Sequence, residues 1–185
     1  MRDVVEIETE RLRLRQLRIA DAPRMARFLD DPGVGRNLAM TPLPYLTVAA
    51  EGWIMIQAAR APAGKDFVFA VELAGESLVG CIGAHARGDA GFEIGYWYGR
   101  PFWGQGIASE ALGGFLSEAR KLGALASGHF VDNPASGRVL EKNGFAYTGE
   151  VEPMFSMGCG CVAPCRRMAY ARGIAASEQR VAALA

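Results

Sequence analysis

The hydrophobic period of the chain changes at its centre, from strand to helix, across a single glycine turn. Gly91 to Tyr98 reads Gly-Phe-Glu-Ile-Gly-Tyr-Trp-Tyr, a short aromatic-rich run typical of a strand. Beyond it, Ile107, Ala111, Phe115, Ala119 and Leu122 fall at helical spacing, Glu110 sits in the first turn, and Gly123 occupies the stop position. The connecting segment, Gly99-Arg100-Pro101-Phe102-Trp103-Gly104-Gln105-Gly106, must carry the chain from a strand end directly into a helix start. At such a junction free backbone N–H groups converge, the helix dipole adds roughly half a positive charge, and glycine lets an anion approach with no Cβ in the way. The turn is therefore a candidate anion site, although a Gly-x-Gly turn is equally what a tight loop needs. It fits neither nucleotide template: Ser109 stands where a dinucleotide fold wants its third glycine, and no Lys-Ser or Lys-Thr pair follows as a P-loop requires.

The flanking segments place this junction in a mixed sheet. Arg11-Leu12-Arg13-Leu14-Arg15 alternates with period two, which predicts one half-buried strand over Glu8 to Leu17, leucines inward and arginines outward. Asp21-Ala22-Pro23 is a helix start, Met25, Phe28 and Leu29 share its apolar face, and Asp31-Pro32-Gly33 is its stop. A loop from Gly33 to Thr47 leads to a second helix over Val48 to Ala59, with Trp53, Ile54 and Ile56 in its apolar part. Strands are predicted over Phe67 to Leu73, Ser77 to Ala84 and Gly91 to Tyr98, joined by hairpin connections. After the central helix come a strand over Leu125 to Val131, a helix over Pro134 to Asn143, and strands around Phe145 to Met154 and Cys165 to Ala171. This order predicts an α/β sheet with helices on both faces. With no repeat, low-complexity tract or dividing linker, residues 1–172 are expected to form a single domain, and 173–185 a frayed helical tail.

Composition narrows the chemistry. A chain of 185 residues is of single-domain size, and 20 basic against 20 acidic residues argue against a protein that coats nucleic acid or an anionic membrane. His85 and His129 are the two imidazoles and lie far apart in sequence, so no metal centre is expected. Cys159, Cys161 and Cys165, in Gly-Cys-Gly-Cys-Val-Ala-Pro-Cys, match no zinc template. They are expected as small side chains in a hairpin of a reduced, cytoplasmic protein rather than as a metal clip or a redox pair. The first residues are charged and lack an apolar signal core, and no apolar run reaches the roughly 18 residues of a membrane-spanning helix. Glycine alone is out of line: average usage gives about 13 in this length, whereas the chain has 23, of which 13 fall between Gly75 and Gly128.

A second constellation follows one predicted strand later, Asp132-Asn133-Pro134-Ala135-Ser136-Gly137-Arg138-Val139-Leu140-Glu141-Lys142-Asn143-Gly144-Phe145. Asn133 before Pro134 is a helix cap and Asn143-Gly144 a helix stop, so each part has a purely structural explanation. The two segments together say more. An N-x-x-S-x-x-x-L-E-K-x-G-F element one strand after W-G-x-G-x-A-S-E-A resembles the GNAT superfamily of N-acetyltransferases, and more narrowly the subgroup that contains the ribosomal-protein Ala and Ser N-acetyltransferases. The opening IETERLRLRQL and the central FEIGYWYGRPFWGQGIASEAL are in the same style and order, so the resemblance covers roughly residues 5–172. It implies a GNAT-like mixed, mostly antiparallel twisted sheet of about seven strands with about four helices on both faces. It also implies an acetyl-CoA-dependent N-acetyltransferase, monomer or homodimer, that attacks with a primary amine of a protein N-terminus or a small molecule.

The resemblance also assigns roles. In the superfamily the acetyl-CoA pyrophosphate sits on R/Q-x-x-G-x-G/A at the start of the central helix; the matching register here is Trp103-Gly104-Gln105-Gly106-Ile107-Ala108, followed by Ser109, with Trp in place of Arg or Gln. The pantetheine arm is expected beside Tyr96, Trp97 and Tyr98, with Asn133 contacting it and the thioester lying where this strand and the one ending near Val131 splay apart. A primary amine has a pKa of about 10.4 and must lose a proton before attack. Glu93 matches a place where the superfamily carries a carboxylate base, although an alternating strand also puts carboxylates at the surface. Many members protonate the leaving thiolate with a Tyr seven positions after the Asn; here that position is Leu140, and Ser136 matches a serine given that role in the subgroup. Glu93 and Ser136 are therefore the catalytic candidates, with no metal. His85 is expected at a solvent-facing strand end, His129 and Trp53 in packing roles, and the loop Leu38 to Thr47 in the acceptor wall. The rival reading is a non-catalytic acyl-CoA-binding module.

Overall fold

The computed structural model describes residue 1 and residues 6–171, so the tail expected over 173–185 lies outside the described residues. Among those described, eight strands form one sheet in the order β1-β2-β3-β4-β5-β6-β8-β7, with five α-helices. The mixed, mostly antiparallel sheet is the one expected, with one more strand and one more helix.

The extra strand arises in the first segment. Instead of one strand there is a hairpin, β1 (Glu6–Glu8) against β2 (Leu12–Gln16), because Thr9 turns the chain: its N–H donates to Leu12 O at 2.9 Å and its hydroxyl accepts the Leu12 N–H at 3.0 Å. Leu12 and Leu14 face the core as expected, but Arg15 is only 5% exposed. Both faces of the sheet are covered, so this supposedly outward arginine is buried and is matched by Asp21 and Glu72, each at 2.7 Å. The extra helix is α2 (Pro32–Gly35), a single turn whose cap is Asp31, its carboxylate accepting the Gly33 N–H at 2.8 Å. Asp31-Pro32 thus follows the end of α1 (Ala22–Leu29) and at once starts another turn, inside the expected loop.

The remaining elements follow in the predicted order: α3 (Thr47–Arg60), β3 (Asp66–Leu73), β4 (Leu78–Ala86), β5 (Phe92–Tyr98), α4 (Ile107–Ala119), β6 (Leu125–Phe130), α5 (Pro134–Lys142), β7 (Phe145–Ser156) and β8 (Cys161–Tyr170). On one face of the sheet Leu112 and Phe115 of α4 and Leu140 of α5 join Leu14, Phe69, Ile82 and Ile94 in a continuous core. On the other, Met25 and Phe28 of α1 and Ile54 of α3 pack with Leu78 and Cys81. Burial from both sides explains why β4 shows no alternation: Leu78 to Ala84 are all buried. In α3 Ile54 is buried but Ile56 is exposed, so the apolar face is narrower than the sequence suggests.

The cysteine expectation is corrected in part. The trio does lie at a hairpin, between β7 and β8, but Cys159 and Cys161 are joined as a disulfide. The tight turn there, with Gly160 N–H donating to Ser156 O at 2.9 Å, brings their Cα atoms to 5.3 Å. Cys165 is a free, buried thiol on β8. Among the described residues no helix is long and apolar enough to cross a membrane, and no group of three or more His, Cys, Asp or Glu is placed to hold a metal.

Candidate active site

The parallel pairing of β5 with β6 is brief. It holds Phe92 opposite Leu125 and Glu93 opposite Ala126, and then the strands part while β6 stays paired with β8 as far as Phe130. Ser127 Oγ donates to Ile94 O at 2.9 Å, satisfying the first carbonyl that loses its strand partner. Backbone alternation turns the N–H and C=O of Tyr96 to the same side, where no strand meets them. A cleft of about 580 Å³ opens there. A Cβ placed on Gly95 would find nothing within 4 Å, so the middle of a central strand faces open space.

At one end of the cleft lies the glycine loop. Gly104 (φ +75°) and Gly106 (φ +78°) adopt the left-handed conformation, which favours glycine. Gly106 is the N-cap of α4 and has no side chain to cap with. The first bond into the helix is from the Glu110 N–H to Gly106 O, 3.0 Å, so the amides of Ile107, Ala108 and Ser109 have no protein acceptor among the described residues. The loop is braced by its own side chains: Trp103 Nε1 donates to Tyr98 O at 2.7 Å and the Gln105 amide to Pro101 O at 2.8 Å. Beneath it, Glu110 accepts from Thr9 Oγ1 (2.6 Å), the Arg11 N–H (2.8 Å) and Arg11 Nε (2.7 Å), tying the β1–β2 turn to the helix start.

The start of α5 forms the opposite wall. Asn133 Oδ1 accepts the Ser136 N–H at 3.3 Å, which is the helix-cap role, and Asn133 also lines the cleft. Leu140 is fully buried in the core. From β5, Tyr96 reaches across to Ser136, its hydroxyl 2.9 Å from Ser136 Oγ and 3.1 Å from Ser136 O. Burial pushes the Tyr96 phenol up to about 12, against a smaller opposing effect of the Ser136 hydrogen bond.

On the other face of β5, Glu93, Gly95 and Trp97 alternate toward α1 and α3. Glu93 Oε2 accepts from Arg87 Nη1 at 2.9 Å and from Arg167 Nη2 at 2.7 Å, while Oε1 has no hydrogen bond among the described residues. His85 is not simply solvent-facing: its Nδ1 lies 2.8 Å from Oδ1 of Asp66, a buried carboxylate that Arg60 also pairs with. His129 is buried, with Nε2 2.9 Å from the Tyr147 hydroxyl, as a packing role requires.

Of the residues singled out from sequence, Glu93, Tyr96, Trp97, Tyr98, Trp103, Gly104, Ala108, Asn133 and Ser136 meet around this one cleft. Gln105, Gly106, Ile107 and Ser109 stand outside its wall, and the Ile107 side chain belongs to the core. The wall also contains residues to which the sequence gave no site role: Gly33, Val34, Arg36, Asn37, Met154, Cys165 and Arg167. A signal for Arg167 did exist, since it shares the inward register of β8 with Cys165 and Ala169 and is 5% exposed. Met154 and the α2 segment reach the cleft through long-range packing and carried none.

A protein-family model described as an acetyltransferase (GNAT) domain matches residues 11–146. The chain is 31% identical over 108 residues, 56% of its length, to an uncharacterized N-acetyltransferase p20 of Bacillus licheniformis, and the match spans 60% of that relative. Its fold is similar to that of the microcin C7 self immunity acetyltransferase MccE in complex with acetyl-CoA and AMP, with TM-score 0.75, 16% identity, and coverage of 87% of this chain and 92% of that one. RimL, a ribosomal L7/L12 alpha-N-protein acetyltransferase in complex with coenzyme A, gives TM-score 0.76 at 20% identity over 89% and 96%. Mycobacterium smegmatis RimJ in complex with CoA-disulfide gives 0.72 at 22% over 87% and 83%. These structural likenesses establish the fold. The family model spans both the glycine loop and the helix capped by Asn133, and the chain belongs to the acetyltransferase (GNAT) domain family.

Proposed function

We propose that this protein transfers an acetyl group from acetyl-CoA to a primary amine, of a protein N-terminus or a small molecule, by direct attack with both substrates bound. The observation that carries the reading is the parting of β5 and β6 into a cleft that runs from the uncapped start of α4 to Glu93. The residues suit acetyl-CoA. The free amides of Ile107, Ala108 and Ser109 hold the pyrophosphate beside Gly104, where a Cβ would meet open space. The unpaired N–H and C=O of Tyr96 pair with the pantetheine amides, and Asn133 adds its side-chain amide. When bound, acetyl-CoA supplies an acyl group activated as a thioester. Glu93 takes the proton that the amine must lose, through Oε1, while Arg87 and Arg167 fix the carboxylate through Oε2. The likeness to RimL supports an N-terminal acceptor and the likeness to MccE a wider one, so both kinds belong in the assay.

Thiol release from acetyl-CoA in the presence of N-terminal peptides and small amines tests this. The wild type is expected to release thiol only with an acceptor, and Glu93→Gln to lower kcat about 100-fold or more with acetyl-CoA affinity unchanged. Two observations favour the rival acyl-CoA-binding module: Leu140 at the usual acid position, and the double ion pair on Glu93. Tight acetyl-CoA binding with no acceptor-dependent thiol release selects the module.

A further inference from the structure

Cys159 and Cys161 are joined across Gly160, whereas the other two of the four cysteines, Cys81 and Cys165, are free and buried. The joined pair stands at the exposed tip of the β7–β8 hairpin, and exposed disulfides are the ones that dissolved thiols open most readily. Exposure alone would leave the bond without consequence. Its place in the chain supplies one, because Ser156, Met157 and Gly158, the three residues before it, touch the segment after α2.

That contact depends on the course of the backbone. Ser156 Oγ lies 3.1 Å from Arg36 O and 3.0 Å from Leu38 O, and the Met157 N–H donates to Ala39 O at 3.0 Å. Gly158 lies so close to Gly35 that no side chain fits between them. Arg36 to Ala39 stand in the wall of the cleft and lead into the loop expected to face the acceptor. The closed ring acts on Ser156 from both of its ends. The Cys159 N–H donates at 3.4 Å to Ser156 Oγ, the hydroxyl that also serves the two carbonyls, and the Gly160 N–H donates to Ser156 O at 2.9 Å. Cys161 is the strand partner of Ser156. Opening the ring lets residues 159–161 sample other turn conformations, and both bonds to Ser156 loosen with them.

We propose that the Cys159–Cys161 pair is a thiol-sensitive modification site, opened by a low-molecular-weight thiol, and that its opening loosens the cleft wall at Arg36 to Ala39. That this wall faces the amine rests on the acetyl-transfer reading. The exchange balances: one thiolate attacks a sulfur of the pair to form a mixed disulfide, and the other cysteine leaves as a thiolate. A second thiol then displaces the first, so two thiols are oxidised to one disulfide and their protons end on Cys159 and Cys161. Cys165 takes no part, since it is buried, and burial pushes its thiol above the ordinary range against the smaller effect of Arg167.

The test compares the protein equilibrated with oxidised glutathione, the protein treated with dithiothreitol, and a Cys159→Ser, Cys161→Ser double variant. Alkylation in denaturant followed by mass spectrometry is expected to count free thiols at Cys81 and Cys165 alone in the oxidised protein, and at all four cysteines in the reduced one. Hydrogen exchange of the Met157 amide is expected to be several times faster in the reduced protein. With the acetylated product measured by mass spectrometry, reduction is expected to raise the KM for the amine acceptor several-fold and the KM for acetyl-CoA less. The double variant is expected to match the reduced protein in either buffer. Free thiols at Cys159 and Cys161 in the oxidised protein overturn the proposal, and so does a reduced protein whose Met157 exchange and acceptor KM equal the oxidised values. A double variant that still responds to dithiothreitol overturns it as well, because the response then comes from Cys81 or Cys165. A protein that acetylates no amine in either state refutes acetyl transfer instead, and the Met157 exchange still decides whether the pair controls the wall.

Discussion

Gly95 occupies the middle of a central strand, yet nothing lies within 4 Å of where its Cβ would be. Its neighbours on β4 are the opposite case: a Cβ on Gly80 would run into Trp97 O, and one on Gly83 would meet Val68 Cγ2 at 2.8 Å. The compositional excess therefore mixes glycines that let strands and side chains approach with a glycine that keeps space open for a ligand. In the sequence the three look alike, because the difference depends on how neighbouring strands close or part. Asn133 and Ser136 were legible through their motif, whereas the Tyr96–Ser136 contact was not, since it joins residues 40 apart across a gap between elements. Gly95→Val separates stability from function. A mid-strand glycine costs about 0.5–1 kcal/mol relative to a residue with a side chain, so the variant is expected to melt at or above the wild-type temperature. The added side chain projects into the cleft from the face of β5 that also carries Glu93, and the KM for the amine acceptor is expected to rise at least about tenfold, a loss of about 1.4 kcal/mol of binding. A variant that melts higher and remains fully active would refute the placement of the acceptor beside Gly95.

At the scale of elements, the start of α4 is the one that must be rigid, because its free amides form the anion site. Glycine gives those amides their exposure but no support, and the support comes from Glu110 in the first helical turn. Its carboxylate holds Thr9 and Arg11 of the β1–β2 turn, and Arg11 Nη1 in turn donates to Gln105 O at 3.2 Å. The sequence located Glu110 in that turn but not its partners, because the β1–β2 turn itself was hidden inside one long alternating run. The helix and strand order was legible from period and punctuation; the short α2 turn was not, since Asp31-Pro32-Gly33 serves equally as a stop and a start. Burial raises the Glu110 pKa, but the Thr9 and Arg11 hydrogen bonds outweigh it and hold the group below its ordinary value of 4.5. With the folded value depressed, the stabilisation is present above about pH 4.5 and is lost as pH falls through the folded pKa. Glu110→Gln is expected to cost about 1–2 kcal/mol at pH 7, a fall of roughly 3–6 °C in melting temperature, and to weaken acetyl-CoA binding. Thermal melts from pH 7 down to pH 3 check the sign: the gap between the two proteins closes on acidification. A gap that stays constant would mean that the carboxylate charge contributes nothing to the tie.

For the whole molecule, the cleft is closed by a contact between distant parts of the chain. The turn after β7 crosses to the segment after α2, where Ser156, 1% exposed, directs Oγ to Arg36 O at 3.1 Å and Leu38 O at 3.0 Å. Beside it the Met157 N–H donates to Ala39 O at 3.0 Å, and Gly158 packs so closely on Gly35 that a Cβ there would clash. These bonds join residues 118–120 apart and set Arg36 to Ala39 and Met154 together in the wall of the cleft. Nothing in the sequence pointed to this. Most of β7 is exposed, so its residues show no inward period, and a serine followed by Met-Gly-Cys-Gly reads only as a turn. The contact lies on the α1 and α3 face, where Val34 and Leu38 pack with Phe28 and Ile54, and it is expected to bear on the acceptor more than on acetyl-CoA. Ser156→Ala removes the donor to two carbonyls and is expected to cost about 1–2 kcal/mol. Below the melting transition, the KM for the amine acceptor is expected to rise several-fold while the KM for acetyl-CoA stays at the wild-type value. Steady-state kinetics with each substrate varied in turn distinguishes the outcomes. Equal increases in both constants would show that the hairpin supports the cleft as a unit, and an unchanged acceptor constant would remove the segment from Arg36 to Ala39 from the acceptor wall.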